Sequence, residues 1–128
     1  MNKEDIVRQV LENTQLASLG DAYVNFVYSL ALTKIDGKPK GVKVSDRILA
    51  EAFKLAGLRA YLGTRVTRKD IANASESLLV DVYLKDLLTI EESVNILTRQ
   101  PDDVTLGLIE LLRLAAERLV EKALAYHG

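Results

Sequence analysis

The sequence contains no cysteine and no tryptophan, one histidine and two prolines in 128 residues. Without cysteine there is no disulfide framework and no thiolate metal site. The single histidine, His127, is the penultimate residue. That gives no basis for a histidine-ligated zinc or a Ser–His–Asp triad. Long apolar runs are missing as well. The longest stretch without a charge runs from Ala22 to Thr33 and still holds Asn25 and Ser29. A bilayer span needs about 20 apolar residues, so this is a buried element. The N-terminal segment MNKEDIVRQ lacks the apolar core of a secretory signal. A cytoplasmic protein is expected. The net charge is −1, so any case for a nucleic-acid partner has to come from local charge.

What is present is 48% hydrophobic and 27% charged, enough for one core. Residues 1–128 are expected to form a single domain. Chemistry must rest on carboxylates, hydroxyls, amides, Lys and Arg. The apolar residues recur at helical spacing almost throughout. Ile6, Val7, Val10 and Leu11 predict a short first helix. Asn13 or Thr14 can cap a second helix, carrying Leu16, Leu19, Tyr23, Phe26, Val27 and Leu30. Its apolar residues lie nearly all round, which predicts a central position. Gly20 lies inside it at a cost of about 1 kcal/mol, which suggests close packing or a functional approach. Residues 35–44, IDGKPKGVKV, read as the one clear loop. Ser45 or Asp46 starts a third helix, and Gly57 stops it. Leu58 to Leu62 reads as a short helical piece. Thr67 with Asp70, and Thr89 with Glu92, are capping boxes for two more helices. Pro101, Asp102 and Asp103 are predicted to open the last one. No run alternates long enough for a strand. The fold class is all-α, with five to six helices around one core.

Two acids sit on otherwise apolar or small-residue faces. Asp21 follows Gly20, and Glu76 lies within the run Ala72-Asn73-Ala74-Ser75-Glu76-Ser77. Small residues let a second backbone or a ligand approach. Each carboxylate has two readings. It can ligate a hard cation such as Mg²⁺, which prefers oxygen and keeps waters, or it can make a hydrogen bond to a neighbouring helix.

Three segments in order resemble the ribonuclease III catalytic domain. Leu16-Ala17-Ser18-Leu19-Gly20-Asp21-Ala22 is similar to that family's signature helix, E-x-L-E-F-L-G-D-A. The run from Ile48 to Leu58, with Tyr61-Leu62, resembles L-A-E-x-A-x-x-L-G-L-x-x-Y-L. The run from Ile71 to Leu79, continued by Val82-Tyr83-Leu84, resembles the L-A-D-x-x-E-A-L-I-G helix. Together they cover about Asn13 to Asp86. The resemblance implies a homodimeric ribonuclease III-like endonuclease domain that hydrolyses double-stranded or structured RNA, using Mg²⁺ (or Mn²⁺) held by carboxylates. It makes Asp21 and Glu76 the catalytic and metal-binding pair. The family's first signature Glu falls at Thr14, its second at Ala17, and the Asp of D-x-x-E at Asn73. The pattern is closest to the small Mini-ribonuclease III type, which lacks a double-stranded-RNA-binding domain. There Ala17 is expected and the later helix keeps only its Glu, although those enzymes tend to carry another Glu at the place of Asn25. Asn73, Asn25 and Thr14 are the supporting positions.

Basic residues gather in two places. Lys34, Lys38, Lys40 and Lys43 lie in and around the long loop, and Arg59, Arg65, Arg68 and Lys69 flank the start of the Glu76 helix. Duplex RNA is read through its phosphates and 2′-hydroxyls. Lys38, Lys40, Lys43, Arg65, Arg68 and Lys69 are therefore the RNA-binding candidates, against a reading as solvated surface charge. With only 128 residues, RNA affinity is expected to come from the catalytic surface itself. The competing function is a non-catalytic RNA-binding or scaffolding dimer on the same fold. No membrane contact and no small-molecule cofactor are expected.

Overall fold

The computed structural model describes residues 2–127, with side chains for residues 2–125. The side chain of His127 lies outside them. Six α-helices occur among the described residues: α1 (Lys3–Leu11), α2 (Thr14–Asp36), α3 (Asp46–Leu55), α4 (Arg68–Leu84), α5 (Ile90–Thr98) and α6 (Val104–His127). A 3₁₀ turn spans Arg59–Tyr61 between α3 and α4. No strand occurs among the described residues, so the all-α reading holds. No helix is long and apolar enough to cross a membrane.

The helix starts follow from side chains that satisfy the first free backbone N–H groups. Asn13 accepts from the Leu16 N–H at 3.0 Å and starts α2. Ser45 does the same for Ile48 and starts α3. Thr67 with Asp70 and Thr89 with Glu92 form reciprocal capping boxes at α4 and α5. Gly57 ends the α3 region with a φ of +81°, a conformation open to glycine at little cost.

Two boundaries differ from expectation. Helix α2 runs on to Asp36, so the loop opens at Gly37 and not at Ile35. The C-terminal helix begins at Val104, and Pro101 and Asp102 form a turn before it. The Asp103 N–H donates to the Gln100 carbonyl at 2.9 Å, which closes that turn.

The central helix is α4, not α2. Every residue from Ala74 to Val82 is buried, and α4 packs against α1, α2, α3 and α6. Its Ala and Ser side chains let neighbours close in on all sides. Helix α2 instead buries one face through Ala17, Gly20, Val24, Val27 and Ala31. It leaves Leu19 and Phe26 open to solvent. The core joins Phe53, Leu49, Leu78, Leu97, Leu108 and Leu112 across α3 to α6.

The candidate carboxylate site

The site forms where α2 crosses α4. Gly20 is the point of closest approach. A Cβ added there would lie 2.5 Å from the Glu76 carbonyl carbon, inside any real contact. Only a glycine allows the two backbones to meet at this distance. The next residue, Asp21, then shares one cavity with Glu76. That cavity has a volume of about 440 Å³. Its walls also carry Thr14 and Asn73, a third carboxylate, Asp46, and the two lysines Lys43 and Lys69.

Glu76 is 4% exposed. Burial pushes its carboxyl up to about 8, helped by a hydrogen bond to Asp21 and by the charges of Asp21 and Asp46. Lys69 opposes the rise. The side chain therefore holds its proton near neutrality unless a cation offsets the charge. Among the described residues, neither Asp21 nor Glu76 forms an ion pair with a Lys or Arg. The hydrogen bond between Glu76 on α4 and Asp21 on α2 joins the two acids to each other and leaves their charge without a basic partner. Asp21 is fixed by Asn25, whose side-chain N–H donates to it at 3.2 Å. The Asn25 carbonyl oxygen accepts from the Val44 N–H at 2.8 Å. Asn25 thus ties α2 to the end of the loop and orients Asp21 between them.

The supporting positions divide in two ways. Thr14 and Asn73 stand on the cavity wall, whereas Asn25 acts from behind Asp21. Asp46 was not singled out as a site residue by sequence reasoning. As the first residue of α3 it reads as an acid at a positive helix end. In the fold it faces Lys69 at 3.8 Å. Nothing in the spacing from Asp21 to Asp46 betrays this, since the loop brings them together.

The basic candidates do not act as one patch. Lys43 and Lys69, from the two separate clusters, meet at the carboxylate cavity. Lys40 turns to a groove with Phe26 and Leu30 and pairs with Asp36. Arg68 faces a different hollow, between Arg47 and Lys54. Lys38 and Arg65 are exposed and do not line the carboxylate cavity.

The donor set suits a hard cation. Mg²⁺ is commonly bound by one or two carboxylates while keeping waters, and the amide of Asn73 and hydroxyl of Thr14 can receive those waters. Among the described residues no group of three or more acidic or histidine side chains is placed to hold a metal ion, although Asp46 shares the cavity with Asp21 and Glu76. A family model described as Ribonuclease III matches residues 14–125. No curated protein matches the chain.

Proposed function

This chain belongs to the ribonuclease III family, and on that premise we propose that it is a metal-dependent endoribonuclease that hydrolyses phosphodiesters in double-stranded or structured RNA. The observation that carries the reading is the placement of Asp21 and Glu76 in one cavity with Lys43 and Lys69. The carboxylates would hold a divalent cation, Mg²⁺ or Mn²⁺. When bound, that ion supplies charge neutralisation and water activation at the scissile phosphate. Asn25 keeps Asp21 aimed at the ligand. Lys43 and Lys69 attract the phosphodiester and offset part of its charge. With a cation bound, Glu76 would be held ionised, because the positive charge would offset the burial and the neighbouring carboxylates that raise its pKa. Lys38, Lys40, Arg65 and Arg68 serve as weaker contacts along the RNA backbone.

The working unit is a homodimer in the cytoplasm. Leu19 and Phe26 are 49% and 55% exposed on α2. They are seven residues apart and therefore lie on one face. Leu84 at the end of α4 is 52% exposed, and Tyr83 stacks on Tyr23 of α2 with ring centroids 4.9 Å apart. An apolar face of this kind suits an isologous contact between two copies.

Purified protein incubated with long duplex RNA and Mg²⁺ should produce discrete fragments, and EDTA should stop the reaction. RNA left whole in both Mg²⁺ and Mn²⁺ would overturn the enzymatic reading. A salt-dependent gel shift would then favour the second reading, a non-catalytic RNA-binding or scaffolding dimer. The small number of converging carboxylates favours that reading.

A further inference from the structure

A second cavity of about 200 Å³ adjoins the carboxylate cavity. Three residues line both: Thr14, Ala17 and Asn73. All three are uncharged, and Ala17 is small, so the wall shared by the two spaces is neutral. Beyond that wall the chemistry changes. Leu11, Leu62 and Val66 supply an apolar lining. Asn13 adds an amide, and its oxygen is already engaged as the α2 cap. Two acids, Glu12 and Asp70, also line it. Asp70 is turned to its own capping box, accepting from the Thr67 N–H at 2.9 Å.

We infer that this second cavity takes a single unpaired nucleobase, from the nucleotide whose phosphate lies in the carboxylate cavity. The inference rests on the RNA reading given above. A phosphate is excluded from the second cavity by Glu12 and Asp70 and by the absence of Lys or Arg on its walls. A base is neutral, offers an apolar face to Leu62 and Val66, and presents donors and acceptors along its edge. Thr14 is exposed and Asn73 half-buried, so a hydroxyl and an amide can reach that edge from the shared wall. The space accommodates one base and not a stacked pair, so the base must leave its helix to enter. The preferred substrate is therefore a duplex interrupted by an unpaired nucleotide beside the cut, rather than a perfect duplex.

The test is binding, not cleavage. Two RNAs are compared in EDTA, a fully paired duplex and the same duplex with one bulged 2-aminopurine. The wild type should bind the bulged RNA about tenfold more tightly, and the fluorophore should report its removal from the stack. Val66→Phe, at a half-exposed loop position, fills the cavity and should bring both affinities to parity. Asn73→Ala should reduce the preference severalfold without touching an apolar wall. Equal binding of both RNAs by the wild type, or an unchanged preference in Val66→Phe, overturns the base site while leaving the RNA reading intact. Binding of neither RNA overturns the RNA reading and this inference with it.

Discussion

Gly20 packs directly against the backbone of Glu76, so closely that a Cβ at position 20 would lie 2.5 Å from the Glu76 carbonyl carbon. The contact fixes the α2–α4 crossing, and through it the separation of Asp21 from Glu76. A glycine that costs helix stability in isolation is thereby the residue that assembles the site. Gly20→Ala must push two tightly packed helices apart. Destabilisation by roughly 1–3 kcal/mol is expected, read as a drop of several degrees in the thermal midpoint. RNA cleavage should fall with it, since the carboxylates separate. An unchanged midpoint would mean the crossing is not tight.

Glu76 makes stability depend on pH in a definite direction. Its carboxyl is raised from 4.5 to about 8 in the folded chain. The folded state therefore holds this proton more tightly than the unfolded state does. Its contribution is fully present below about pH 4.5 and is lost as the pH rises to about 8. The total is at most about 5 kcal/mol. Without divalent cation, Glu76→Gln should flatten the fall in melting temperature between pH 5 and pH 9. Added Mg²⁺ should stabilise the wild type more at pH 9 than at pH 5, because the ion binds the ionised pair. Equal stabilisation at both pH values would argue against Glu76 as a ligand.

Asn25 is a positioning residue, and its removal should show as much. Asn25→Ala frees Asp21 and strips the Val44 N–H of its acceptor. A loss of about 1–3 kcal/mol is expected from the unpaired group. Mg²⁺ affinity, measured by calorimetry, should weaken about tenfold or more. Unaltered Mg²⁺ affinity would show that Asp21 is oriented by other means.

On the proposed reading, the exposed face of α2 is the contact between two copies. Phe26→Glu places a charge at a 55% exposed apolar position. It should convert the proposed dimer to a monomer in light scattering, with little change in helix content. A wild type that is already monomeric would remove this face from consideration as the dimer contact.

Much of the fold can be read locally. Asn13, Ser45, Thr67 and Thr89 mark their helix starts because capping is a contact within three residues. Asp21 and Glu76 stand out because an acid amid small or apolar neighbours is unusual, and the family resemblance pairs them. The identity of the buried helix is not legible in this way. Helix α4 is central through Ala72, Ala74, Ser75 and Ser77, whose small size matters only once neighbours surround them. Asp46 is missed because its role depends on a loop that returns α3 to the N-terminal part of α2. Lys40 and Lys43 look alike in sequence, yet the fold places them in different hollows. Pro101 falls outside its helix because the turn at Gln100–Asp103 takes the place of a first helical turn.

The central claim is that Asp21 and Glu76 together hold the ion that cuts RNA. The most direct measurement is Mg²⁺-dependent cleavage of structured RNA by the wild type, Asp21→Asn and Glu76→Gln, with circular dichroism confirming that each variant is folded. The account predicts that both substitutions lower the cleavage rate at least about a hundredfold while the helical signal persists. Cleavage at the wild-type rate by either folded variant would contradict it.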